Sequence, residues 1–147
     1  MSNTHEQWMQ QAIALARASV EAGNDPFGAL LVKNGKLVMT ATNQIHTATD
    51  PTHHPEIVLV REYCRQEGIT DLSDVTLYTS CEPCVMCSGA MVWSNLGRLV
   101  YSVSHEQLLG ITASNIQLSS KDVFLNSPRK PEVVPLVCNV EGLRLFT

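Results

Sequence analysis

The stretch VTLYTSCEPCVMCSGAMVWS, from Val75 to Ser94, decides the fold. Its first part, Val75 to Ser80, is rich in β-branched and aromatic residues and reads as a strand. Its second part, Pro83 to Ser94, reads as a helix, with Pro83 at the first helical position, where a missing N–H costs nothing. Cysteines therefore cluster where a strand runs into a helix. Cys84 and Cys87 are three apart, so their sulfurs share one helical face. The positive end of the helix favours thiolate over thiol. Cys81 lies before the helix and points elsewhere.

The same construction occurs upstream at His54-Pro55-Glu56. Pro55 to Glu67 reads as a helix with Ile57, Val58, Val60, Tyr63 and Cys64 as apolar positions and Gly68 as its stop. A structural zinc site takes four protein ligands, whereas a catalytic one takes three and leaves the fourth position open. His54, Cys84 and Cys87 make three. Glu56, two residues past His54, points in a different direction and is left as a proton carrier beside the ion. The order H-x-E followed by P-C-x-x-C is the signature of zinc nucleobase deaminases.

Outward from these two halves, Thr4 to Ala22 has a helical period at Trp8, Ala12, Leu15, Ala16 and Val20, with Thr4 placed to cap it. Phe27 to Lys33 and Lys36 to Asn43 read as strands joined at Asn34-Gly35, since both turn residues tolerate positive φ. Gln44 to His53 is a polar loop, and Arg98 to Val103 is a further strand. Beyond Ser104, a short helix is expected within His105 to Asn115 and a helical turn at Asp122 to Asn126. Short strands are expected at Glu132 to Val137 and Gly142 to Phe146. Alternating helices and strands predict an α/β chain, a three-layer α/β/α sandwich with a mixed central sheet, in one domain over residues 1–147.

Hydrophobic residues make up 44% of the 147 and charged residues 16%, an ordinary globular balance. The net charge of −4, with 10 Lys and Arg in all, argues against a polynucleotide footprint. No apolar run is long enough to span a membrane, and the N-terminus lacks the order of a secretory signal. Five cysteines, three of them crowded together, read as metal binding in the reducing cytoplasm rather than as a disulfide framework.

Pro26-Phe27-Gly28-Ala29, Asn43, Asp50-Pro51-Thr52, His54-Pro55-Glu56, Thr79 to Cys87, Gly89-Ala90 and Trp93 together resemble the cytidine and deoxycytidylate deaminase superfamily. The likeness is nearest to bacterial guanine deaminases and tRNA adenosine deaminases, and runs from about Pro26 to about His105. It implies one catalytic zinc per subunit, held by His54, Cys84 and Cys87, and hydrolysis of an exocyclic amine to a carbonyl with release of ammonia. It implies Glu56 as the proton shuttle and Asn43 as the residue that hydrogen-bonds substrate. Phe27 and Trp93 match positions lining the base pocket, and Glu82 sits where the purine branch carries an acid. A homodimer is the family default. Pro55 departs from the pattern, in which a small residue is usual, and removes a backbone amide at that point.

The acidic charge, the Thr79 to Glu82 run and Trp93 favour a small free base of guanine or isocytosine type. Cytosine, cytidine, guanosine and tRNA adenosine stay open as alternatives, and a zinc-stabilised module without turnover is the rival class. How residues 127–147, with Pro128, Pro131 and Pro135, relate to the pocket is not readable from sequence.

Overall fold

A computed structural model describes residues 3–112 and 114–147. Helix α1 spans His5–Glu21. Thr4 caps it through a reciprocal box: the Thr4 hydroxyl accepts from Gln7 N, and the Gln7 side chain accepts from Thr4 N. Strands β1 (Gly28–Lys33) and β2 (Lys36–Thr42) form the expected hairpin. Its turn residues Asn34 and Gly35 both have positive φ, 53° and 72°. Helix α2 (Pro55–Glu67) ends on Gly68 in the left-handed region, φ 66°. Then come β3 (Val75–Cys81), α3 (Val85–Trp93), β4 (Arg98–Val103), α4 (His105–Leu109), α5 (Ser120–Leu125), β5 (Glu132–Val134) and α6 (Asn139–Leu143), closed by a 3₁₀ turn at Arg144–Phe146.

The five strands lie in the order β2-β1-β3-β4-β5. The hairpin and the β1–β3 pairing are antiparallel, and β3–β4 and β4–β5 are parallel, so the sheet is mixed. Strand alternation sends two sets of side chains to opposite faces. Leu30, Val32, Tyr78 and Val100 pack beneath Trp8, Met9, Ala12 and Ile13 of α1. Ala29, Leu31, Leu77 and Leu99 pack beneath α2 and α3 through Leu59, Tyr63, Met91 and Val92, with Phe124 of α5 alongside. Together these make the predicted three layers. The close approach of α1 to β1 needs Gly28, because a Cβ there would run into the backbone of Ala12 and Ala16.

Three expectations change. The helix after β3 begins at Val85 rather than Pro83, so Cys84 is its N-cap, with extended backbone. Strand β5 stops at Val134 because Pro135 cannot donate to the ladder. Gly142 to Phe146 is helical rather than extended. Cys138 adopts a left-handed φ of 53°, and its carbonyl accepts from Ser102 Oγ while Asn139 Nδ2 donates to Ser102 O. These bonds turn the chain into α6, where Gly142 lies so close to Ser102 that a Cβ would collide with it. Among the described residues, no helix is long and apolar enough to cross a membrane.

Candidate active site

The two proline-marked segments converge just past the end of β3. His54 is the N-cap of α2, with Pro55 as its first helical residue, and Cys84 is the N-cap of α3. Cys87 lies in the first turn of α3 and is fully buried. His54 Nδ1 lies 3.4 Å from Cys84 Sγ and 3.8 Å from Cys87 Sγ. Tetrahedral zinc, with bonds of about 2.3 Å to sulfur and about 2.0–2.1 Å to nitrogen, sets its N and S ligands about 3.6 Å apart. One imidazole nitrogen and two thiols, all within 4.8 Å of one another, fit that ion in both chemistry and spacing.

The thiols already divide into donor and acceptor. The Cys84 thiol is held down to about 4 by a hydrogen bond from the Cys87 thiol and by His54 beside it. Cys87 is pushed well up, because it donates that bond and is buried. The His54 imidazole is raised by its hydrogen bond to Cys84. Cys81 is buried and pushed up by desolvation, as befits a thiol outside the ligand set.

Glu56 is only 5% exposed. Burial raises its carboxyl, and the Thr79 hydroxyl, donating to Glu56 Oε1 at 2.5 Å, works the other way. The second oxygen, Oε2, has no side-chain partner among the described residues. Thr79 itself was not evident as a site residue from sequence. The period-two alternation of β3 could have found it, since it places Thr79 on the same face as Leu77, toward α2.

A cavity of about 420 Å³ opens on this group. His54, Pro55, Glu56 and Cys84 line its floor, and Phe27, Asn43 and Asp25 line one side. Asn43 is buried, and its side-chain oxygen accepts from Ile45 N. Its Nδ2 makes no hydrogen bond among the described residues, leaving a donor for something in the cavity. Phe146, from the C-terminal turn, closes the Phe27 side with ring centroids 6.1 Å apart. The last residues thus return to the pocket of their own chain, which the sequence did not reveal. Leu108, Ile111, Thr112 and Asn115 complete the wall.

Two predicted contacts change. Trp93 does not reach the cavity. It stands at the end of α3 and is 81% exposed, because the buried stripe of that helix is Cys87, Ser88, Met91 and Val92. Glu82 lines the wall, but both carboxylate oxygens are already engaged, by His105 N and by Ser120 N and Oγ. Three of its acceptor sites are thereby taken, so it braces the wall as well as lining the cavity.

Comparison with known proteins agrees with this geometry. A family model described as the cytidine and deoxycytidylate deaminase zinc-binding region matches residues 2–103. A guanine deaminase from Bacillus subtilis is 41% identical over 102 residues, or 69% of this chain and 65% of its own length, so the match spans just under two thirds of that relative. A tRNA-specific adenosine deaminase from Aquifex aeolicus is 32% identical over 108 residues, or 74% of this chain and 72% of its own. A solved structure from work on A-to-I editing by tRNA:A34 deaminases at the wobble position of transfer RNA superposes with a TM-score of 0.82 at 26% identity, covering 95% of this chain and 98% of that one.

Proposed function

The chain belongs to the cytidine and deoxycytidylate deaminase family, and on that premise we propose that it hydrolyses the exocyclic amine of a free nucleobase of guanine or isocytosine type, releasing ammonia. The observation that carries this reading is the placement of Glu56, His54 and Cys84 on the floor of one cavity, with Cys87 buried behind them within reach of the same ion, and no Lys or Arg among the described lining residues. A cavity of about 420 Å³ lies within the range of small-molecule sites, roughly 300–1,000 Å³. A site for a polynucleotide would need cations toward phosphate, and here the ionisable groups at the wall are Asp25 and Glu82.

His54, Cys84 and Cys87 would hold one zinc ion per chain. When bound, zinc lowers the pKa of water toward neutrality and so supplies a hydroxide nucleophile. The protein's own part falls to Glu56. With Oε1 fixed by Thr79, its Oε2 takes the proton of the attacking water, gives it to the ring nitrogen beside the amine-bearing carbon, and then delivers a proton to the departing amine. Water adds, the C–N bond breaks, and the products are a carbonyl and ammonia. Asn43 Nδ2 donates to the base, and the packed Phe27–Phe146 pair offers an apolar surface against it. Pro55, without an N–H, offers only shape where an amide would otherwise donate. All five cysteines are free, which supports a reducing cytoplasm as the setting. The family resemblance supports a homodimer.

Ammonia release over a panel of free bases, nucleosides and a tRNA anticodon stem-loop tests this reading, with Glu56→Ala as control. Turnover of guanine or isocytosine, lost in Glu56→Ala, is the expected result. Turnover of the stem-loop alone would overturn the substrate class.

A further inference from the structure

Glu82 has an unusual set of partners for a residue two positions from a metal-ligand candidate. Its Oε1 accepts from the backbone N–H of His105 at 2.9 Å. Its Oε2 accepts from the N–H of Ser120 at 3.0 Å and from the Ser120 hydroxyl at 2.5 Å. His105 and Ser120 are the first residues of α4 and α5. First-turn amides have no partner within their own helix, so one carboxylate here satisfies two helix starts that are 15 positions apart in the chain. Ser120 is buried at 3% exposure, which makes its polar groups costly to leave unpaired.

Between those two anchored points lies the far wall of the cavity: Leu108, Ile111, Thr112, Ser114 and Asn115. Among the described residues, the hydrogen bonds formed by residues 111, 112 and 114–119 are local. Ile111 and Thr112 donate to Leu108 O, Ser114 N donates to Thr112 Oγ1, Ile116 N donates to Asn115 Oδ1, and Ser119 pairs with Asp122. Among the described residues, none of these bonds ties the wall to the sheet. Glu82 does so at both ends, from the segment that carries Cys84 and from a β3 exit held by Glu82 N donating to Val103 O.

We propose that Glu82 is a positioning residue: it sets the cavity wall against the Cys84 segment, and so governs how tightly a substrate is held rather than how fast it reacts. The proposal rests on the reading that this cavity receives the substrate. It predicts that Glu82→Gln, which replaces one acceptor oxygen by a donor NH₂ facing donors, raises hydrogen exchange at the His105 and Ser120 amides and at Ile111 and Thr112 by about tenfold. Zinc content should be unchanged, and KM for guanine should rise with kcat preserved. Ser120→Ala removes only the hydroxyl bond and should move the same quantities in the same direction by less. It decides the matter if Glu82→Gln does not fold. Unchanged exchange at these amides, loss of zinc, or a fall in kcat at constant KM would each overturn the proposal. If exchange rises as expected while the unaltered protein turns over no base at all, the clamp stands and the substrate reading fails.

Discussion

Tyr78 and Thr79 are neighbours in β3, and each hydroxyl meets a titratable side chain from the first turn of a helix. Tyr78 points to the α1 face, where its hydroxyl lies 2.6 Å from His5 Nδ1. Thr79 points to the α2 face and donates to Glu56. The local device is the same, but the surroundings differ. The tyrosine sits in an apolar layer with Trp8, Met9 and Leu30, and its bond with His5 fastens the start of α1 to the sheet. The threonine fixes a carboxylate that keeps one oxygen for a cavity shared with His54 and Cys84. A buried hydroxyl–titratable pair is therefore a fastening by default. In the proposed function it becomes a proton-handling group, because a Glu56 oxygen without a side-chain partner faces the cavity and donors for a metal stand beside it.

Substitutions on the two sides of β3 should separate these roles. The largest effect is expected from Cys84→Ser or Cys87→Ser, which should remove zinc, measured by metal analysis, and take ammonia release to background. Neither change touches the Tyr78 side. Thr79→Val should lower turnover about tenfold with zinc retained, because a hydrogen bond to a charged group contributes about 1.5–3 kcal/mol. Tyr78→Phe should lower thermal stability by about 1 kcal/mol and leave turnover as it was. Equal losses of turnover in Thr79→Val and Tyr78→Phe would erase the distinction.

The smallest effect concerns pH. Burial raises the Tyr78 phenol above its ordinary value. The neutral form is thus favoured in the folded chain, so this stability is present below the unfolded pKa of about 10 and is lost as pH rises through the folded value. Tyr78→Phe should flatten the fall in stability measured by chemical denaturation above about pH 10.

Much of this was legible in the residues. The period of α1, the Asn34-Gly35 turn and the strand–helix alternation specify the layers, because each is a local rule. The His54 and Cys84–Cys87 spacing specifies the donor set, because helix starts fix directions over a few residues. What was not legible depends on long-range closure. Trp93 lies on a helix whose buried stripe is set by the sheet beneath it, and the sequence alone cannot say which face that is. Glu82 carries the acidic residue of the resemblance, but its partners lie 23 and 38 positions away. Phe146 reaches the cavity after Leu136 and Cys138 turn the chain at positive φ, against the extended reading of Gly142 to Phe146. Thr79 sat within the matched motif, yet it meets Glu56 only once α2 has docked on β3.

The most direct measurement is ammonia release from guanine by zinc-loaded Glu56→Gln, assayed beside the unaltered protein with zinc content and folding checked on the same samples. The substituted amide would keep the shape and the Thr79 contact but could not carry the proton. A fall of roughly 10²–10⁴ in kcat with zinc intact is the predicted result. Turnover equal to that of the unaltered protein would contradict the assignment of Glu56.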